Sequence, residues 1–355
     1  MQKELPDRLP VDMLWPRSET IRDLKEHFGT NDMDVVYDKL GVDFTWQGVD
    51  TAFPEYEKQC NGELTGDTPG AGNSYIFHDD VTFEDEWGVI HRVGNDGKYL
   101  QWVGGPLVGK ESLDGWHLPE MEIAGVEETR EKFSRCSNRV IIAGVSNPFK
   151  TAWHLCGYEH FMMQMVVDPD FVHDLYKQLF AYETERAVIA AKAGADIVAL
   201  IGDVAGNSGP MFSPAMWDEF LKPGFRKLIR AVKEANPATY IFFHSDGELA
   251  SMIPAFIETG IEILNPIESN CMDPAQLKKD FGDRLAFHGA ISVQTTIPNG
   301  SVADVKEAVY SRIRSVGYNG GYIISNENSF PFDAPLENIL AMYEAVQDFD
   351  YDSLR

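Results

Sequence analysis

The sequence predicts an α/β fold, a (β/α)8 TIM-type barrel with an N-terminal elaboration. Three features predict it: short apolar runs, the helical stretches that alternate with them, and the polar residues found where each run ends. IVALIGD (197–203) ends at Asp203, YIFFHSDG (240–247) carries His244 and Asp246, and IEILNPIE (261–268) carries Asn265 and Glu268. LAFHGAIS (285–292) carries His288, and GGYIISNEN (320–328) ends in Asn326, Glu327 and Asn328. Strands this apolar are buried on both faces, and their alternation with helices is the mark of a parallel sheet. A βα barrel collects its chemistry at the C-terminal strand ends, so the chain reads as an enzyme. Ser146, Asp203, His244, Asn265, Gly289 and Asn326 are expected on one rim.

Residues 1–135 are expected to form an elaboration packed on the barrel and contributing to it, and 136–355 the main barrel, within one structural domain. In the first part, 7–14 reads as extended, 18–28 and 32–40 read as helical, and 51–73 has no clear period. The stretch 85–107 reads as a hairpin turning at Asn95-Asp96-Gly97. Its aromatics Trp87, Tyr99 and Trp102 suit ordinary packing, with a pocket mouth as the alternative. Regular alternation begins at Arg139, where RVIIAGVS forms a strand ending at Ser146 and Asn147. Helices over 149–167 and 169–193 follow, the second capped by Asp168, opened by Pro169 and stopped by Gly194. Later helices open at Ser213-Pro214, Asp273-Pro274 and the Ser301-x-x-Asp304 box, and Gly282 supplies another stop. The strands still needed to close a barrel must come from segments with weaker signals.

At 355 residues the chain suits one barrel with insertions. A content of 44% hydrophobic and 12% aromatic residues supplies a large core. Thirty basic against 56 acidic side chains leave a formal charge of −26, which opposes binding to nucleic acid or anionic lipid. A polyanionic substrate would need a local basic pocket. Cys60, Cys136, Cys156 and Cys271 are widely spaced and form no CxxC pair, so they read as incidental thiols. The first residues, MQKELPDRLPVDMLWP, carry charges where a signal peptide needs an apolar core, and no apolar run approaches membrane-spanning length. A cytoplasmic, reduced protein is expected. No GxGxxG, Walker loop or zinc-ribbon spacing supports nucleotide or nicotinamide chemistry.

From 139 to 346, NPFKTAWHLCGYEHFMMQMVVDPDFV, SPAMWDEFLKPGFRKLI, FFHSDGELASMIPAFIETGIEILNPIE, MDPAQLKKDFGDRLAFHGAIS and GGYIISNENSFPFDAPLENILAMYEAV follow one another. This run resembles the uroporphyrinogen decarboxylase superfamily, and within it the branch of corrinoid-dependent methyltransferases. The resemblance implies a barrel of that superfamily, a small methylated substrate, and cobalamin carried by a partner corrinoid protein. Homodimerisation is a further possibility. True uroporphyrinogen decarboxylases carry paired arginines in an N-terminal loop, whereas PDRLPVDMLWPRSE offers only Arg8 and Arg17. The thiol-alkylating methyltransferases hold zinc with a His-x-Cys strand end and a second Cys after the last strand. Here His244-x-Asp246 stands in the first place and Asn328 near the second, with Glu327 as the replacement ligand. Histidine with carboxylates makes a harder zinc centre than thiolates do, suited to an oxygen ligand. The resemblance therefore implies an O-demethylase that moves a methyl group from a methyl ether to the corrinoid protein. Decarboxylation of uroporphyrinogen or a related acid is the alternative, and a noncatalytic binding barrel the third reading.

The candidate catalytic residues are His244, Asp203 and Asp246, and the candidate zinc ligands His244, Asp246 and Glu327. Asp246 reads equally as a helix cap and Asp203 as a loop cap. Asn147, Asn265, Glu268, His288 and Asn328 are the candidate substrate contacts. A proline turn at Pro266 accounts for Asn265 and Glu268 almost as well, and His288 reads equally as a core hydrogen-bonding residue.

Overall fold

The computed structural model describes residues 6–65, 68, 70–95, 97–136 and 138–354. Its centre is a parallel sheet of seven strands in chain order. They are β1 (Phe44–Gln47), β2 (Val140–Ser146), β3 (Ile197–Ile201), β4 (Tyr240–His244), β5 (Ile263–Asn265), β6 (Ala286–Ile291) and β7 (Tyr322–Asn326). Each pairs with the next in parallel register, for example Ile201 with Ser146 and His244, and His244 with Asn265. The gap between β7 and β1 is closed from the N-terminus. The Asp12 amide donates to the Ile324 carbonyl (2.9 Å), the Ile324 amide to the Pro10 carbonyl (2.9 Å), and the Asp43 amide to the Val11 carbonyl (2.8 Å). Residues 10–12 are thus the eighth stave of a TIM-type barrel.

Alternation along the strands sorts side chains to two faces. Phe44, Ile142, Ile197, Ala199, Phe242, Ile263, Ala286 and Ile323 form a cluster inside the barrel. The other face packs under the helices, where Leu200, Phe225, Phe243, Phe256 and Met342 are fully buried. Close helix packing explains one glycine: a Cβ at Gly224 would lie 2.3 Å from the Phe180 ring.

Most helix signals act as expected. Asp168 accepts from the Phe171 amide, Asp273 from the Ala275 and Gln276 amides, and the Ser301–Asp304 box is complete. Gly194 ends its helix at φ 105. Gly282 stops its helix in ordinary right-handed conformation, and a Cβ there would meet the Lys278 carbonyl at 2.3 Å. The helix expected over 149–167 is two, Pro148–Cys156 and Tyr158–Val167, because Gly157 at φ 80 turns the chain between them. Among the described residues no helix is long and apolar enough to cross a membrane.

Helices Ser18–Phe28 and Met33–Leu40 lead into β1. Between β1 and β2 lies an antiparallel five-stranded meander, Gly62–Glu63, Ser74–Phe77, Thr82–Glu84, Ile90–Val93 and Leu100–Gly104. Its last two strands are the expected hairpin; Asp96 of the turn lies outside the described residues.

Candidate active site

At the C-terminal end of the barrel the inward-facing layer changes from apolar to polar. By the period of two, His244 shares a face with Phe242, Asn265 with Ile263 and His288 with Ala286, so three neighbouring strands aim polar groups at one level. These groups bond to one another. His244 Nδ1 is 2.6 Å from Asn265 Oδ1, Asn265 Nδ2 is 2.7 Å from His288 Nδ1, and His288 Nε2 is 3.0 Å from Asp12 Oδ2. Trp46 Nε1 donates to the same Asp12 oxygen at 2.9 Å, and the Met13 amide donates to Asp12 Oδ1 at 2.8 Å. The chain of bonds crosses the barrel core without solvent: Asn265 and His288 are 0% exposed and Asp12 1%.

His244 Nε2 faces two carboxylates, Asp203 Oδ1 at 3.8 Å and Asp246 Oδ1 at 3.9 Å. Both separations are too long for hydrogen bonds. One ligand atom from each of Asp203, His244 and Asp246 lies within 4.8 Å of the others, which suits a shared ion with bonds of about 2.0–2.2 Å. Asp246 Oδ2 accepts from Asn328 Nδ2 at 2.6 Å, while its Oδ1 is buried with no hydrogen-bond partner among the described residues. A buried oxygen of this kind is costly unless something fills its coordination, and a divalent cation does so. The residues therefore fit a metal ion.

The two acids differ electrostatically. Burial works against ionisation of Asp203, but Lys150, whose Nζ donates to its Oδ2 at 3.2 Å, together with His244 and the Asp246 amide, holds it below the usual aspartate range. Asp246 is pushed above that range by burial, with Asp203 and Glu268 adding to the shift. Cys271 nearby is no thiolate, because burial and then Glu268 push its thiol up to about 11.

The structure brings His244, Asp203 and Asp246 together and gives the other candidates different places. Glu327 is not in the ion-sized cluster: its Oε1 accepts from the amide and hydroxyl of Ser269 (2.8 and 2.7 Å), and Asp203 takes the third corner instead. Asn265 and His288, expected as substrate contacts, spend their polar atoms on bonds to His244, Asp12 and each other inside the core. Asn147, also fully buried, caps the Phe149 amide (3.0 Å) and donates to the Gly202 carbonyl (2.9 Å), which shapes the loop before Asp203. Glu268 accepts from the Gly247 amide (2.9 Å) and from Gln294, fixing the turn after Asp246. Asn328 orients Asp246. Of the six residues expected on one rim, Ser146, His244, Asn265 and Asn326 end their strands, Asp203 follows one, and Gly289 lies two residues inside β6.

Sequence reasoning missed Lys150, Asp12, Trp46 and Trp15. Asn326 bonds both the amide (3.0 Å) and carbonyl (2.8 Å) of Leu14, and the next residue, Trp15, takes the left-handed φ of 43. A bulky non-glycine residue adopts that conformation uncommonly, and the strain it carries is one that active sites often hold. The indole lies edge-on to the His244 ring, with centroids 4.7 Å apart. The tryptophans were visible in the sequence, but nothing local connects residues 12–15 with 244.

A cavity of about 250 Å3 is lined by Asp85, Trp87, Ser146, Lys150 and His154 among others, and Lys150, through its bond to Asp203, links it to the cluster. Trp87 thus lines a pocket at the barrel mouth, whereas Trp102 bonds the His154 carbonyl (2.8 Å) and Tyr99 packs on Phe332. Burial, Lys150 and His91 push His154 down to about 4, so it is neutral near pH 7. A larger apolar cavity, about 630 Å3, sits at the other end among the strand starts, away from the polar layer. Arg8 lies there, in a two-point ion pair with Asp43 (2.7 and 2.9 Å), and Arg17 bonds the Phe330 carbonyl and stacks on Phe332. The two do not form an arginine pair at the site.

Comparison with known proteins agrees with this architecture. A family model described as uroporphyrinogen decarboxylase (URO-D) matches residues 113–349. A methylated-thiol–coenzyme M methyltransferase of Methanosarcina mazei is 21% identical over 333 residues, covering 91% of this chain and 78% of its own. A uroporphyrinogen decarboxylase of Coxiella burnetii is 22% identical over 291 residues, covering 77% of this chain and 76% of its own. Among solved structures, a methyltransferase from Methanosarcina mazei shares the fold over 97% of this chain and 95% of its own, with a TM-score of 0.67 and 17% identity.

Proposed function

The chain belongs to the uroporphyrinogen decarboxylase (URO-D) family, and on that premise we propose that it is a methyltransferase of the O-demethylase type. Its substrate is a small methylated compound such as a methyl ether, and its acceptor is a corrinoid carried by a partner protein. The observation that carries this reading is the Asp203–His244–Asp246 cluster, with the unpartnered Asp246 Oδ1, at the barrel mouth.

A methyl ether has a poor leaving group, so catalysis must stabilise negative charge on the departing oxygen. Asp203, His244 and Asp246 would hold a divalent ion, zinc by expectation, and that ion would supply Lewis-acid polarisation of the oxygen. The two carboxylates bring negative charge to match a dication, and the all-N,O donor set favours an oxygen ligand over a thiol. The Lys150 Nζ bonds Asp203 and lines the cavity, where it can donate to the same oxygen. Trp87 gives the cavity an apolar wall for the substrate, and Trp15 packs against His244 and holds its ring in place. Decarboxylation of a porphyrinogen is less well supported, because Arg8 and Arg17 are engaged elsewhere and the chain carries a charge of −26.

The test is methyl transfer from a panel of methoxylated aromatics, simple methyl ethers and methylamines to a reduced corrinoid protein. We expect the absorption spectrum of the methylated corrinoid and an equal amount of demethylated product, with neither in His244→Ala. Carbon dioxide release from uroporphyrinogen without any corrinoid would overturn the proposal.

A further inference from the structure

The buried chain of bonds from Asp12 to His244 has a direction set by its chemistry. Trp46 Nε1 and the Met13 amide can only donate, so both oxygens of Asp12 act as acceptors. His288 Nε2, 3.0 Å from Asp12 Oδ2, therefore carries a hydrogen and donates it. In a neutral ring the other nitrogen then has a lone pair, and His288 Nδ1 accepts from Asn265 Nδ2 at 2.7 Å. That orients the amide of Asn265, whose Oδ1 is left to accept from His244 Nδ1 at 2.6 Å. With its hydrogen on Nδ1, a neutral His244 presents the Nε2 lone pair to Asp203 and Asp246.

We propose that Asp12, His288 and Asn265 are positioning residues that fix His244 in the Nδ1–H tautomer and so keep its Nε2 lone pair turned toward Asp203 and Asp246. Histidine in water prefers the opposite tautomer, with the hydrogen on Nε2. In that form His244 would point a hydrogen at the place where an ion or an acid must sit. Ligating histidines are commonly oriented by a partner on the second ring nitrogen. Here the orienting charge lies three hydrogen bonds away, on the stave that closes the barrel. Asp12 also precedes the 113–349 stretch matched by the family model, so the controlling carboxylate comes from outside that stretch.

As far as the lone pair is meant for a metal, the inference rests on the reading above. The tautomer itself does not, and it is measured without substrate, corrinoid or metal. In full-length protein carrying 15N-histidine, long-range proton–nitrogen correlation should assign His244 as Nδ1–H and His288 as Nε2–H. Finding the hydrogen of neutral His244 on Nε2 would overturn the proposal. Asp12→Asn removes one acceptor and should shift His244 toward Nε2–H, with zinc affinity falling roughly 10–100-fold. Two substitutions at the middle of the chain provide a control if Asp12→Asn does not fold. Asn265→Asp still accepts from Nδ1 and should keep the tautomer, while Asn265→Leu should release it. An unchanged His244 signature in Asn265→Leu would count against the proposal as strongly as the wrong tautomer in the wild type.

Discussion

Asn328 donates to one oxygen of Asp246 at 2.6 Å and leaves the other oxygen buried with no hydrogen-bond partner among the described residues. The amide thus selects which carboxylate oxygen faces His244. We expect about one divalent ion per chain in gently purified protein, by elemental analysis, as a single site implies. His244→Ala should lose it. Asn328→Ala, which removes no ligand, should weaken zinc binding by about 10–100-fold in calorimetry by freeing Asp246 to rotate.

Glu327 and Asp203 separate two possible ligand sets. Glu327→Gln keeps the Ser269 contacts through its amide oxygen and should bind zinc like the wild type. Asp203→Asn should bind it far more weakly. The reverse order, read by the same calorimetry, would restore Glu327 as the third ligand.

Glu183 supplies a pH signature away from the Asp203–His244–Asp246 cluster. Burial foremost, opposed by Arg186 and by bonding to Ser146, pushes its carboxyl from 4.5 up to about 7. The folded chain then holds this proton at pH values where the unfolded chain has released it, so stability should fall as pH rises from about 4.5 to about 7 and level off above. Below that window both states are protonated and the group contributes no slope. Denaturant titrations at several pH values should show the falling limb in the wild type and a flatter profile in Glu183→Gln.

Gly289 sits under the relay at φ 99, where a Cβ would come within 3.3 Å of Asn265 Nδ2 and 3.4 Å of Pro266. Gly289→Ala should cost about 1–2 kcal/mol from the backbone conformation alone. Displacement of Asn265 should add to that, and zinc affinity should fall although no ligand has changed. A loss of stability with unaltered affinity would show that Asn265 does not transmit to His244.

The barrel was legible from 139 onward because its strands are unbroken apolar runs and its helices carry explicit caps. β1 was not, since four residues that alternate Phe44 and Trp46 with Thr45 and Gln47 look like any half-buried segment. The stave at 10–12 was still harder to read, because its pairing with Ile324 is wholly nonlocal. The same divide runs through the site. His244, Asp203 and Asp246 stand at strand ends and could be named from the sequence. The grouping of Asp203, rather than Glu327, with His244 and Asp246 depends on how loops fold back over the mouth, and the inward burial of Asn265 and His288 depends on strand register. A polar residue within an apolar strand reads the same whether it meets a ligand or a neighbour.

Closure of the sheet by residues 10–12 against Ile324 also bears on synthesis. While the nascent chain is on the ribosome, the first stave must wait for the last strand, and the edges of β1 and of each newly added strand stay open to wrong partners. A product interrupted before β7 leaves Asp12 and Trp15 without the Asn326 clamp that sets them. Completion of the pocket therefore waits on synthesis of β7, and chains truncated before it should be cleared as unfolded protein rather than persist as partly active enzyme.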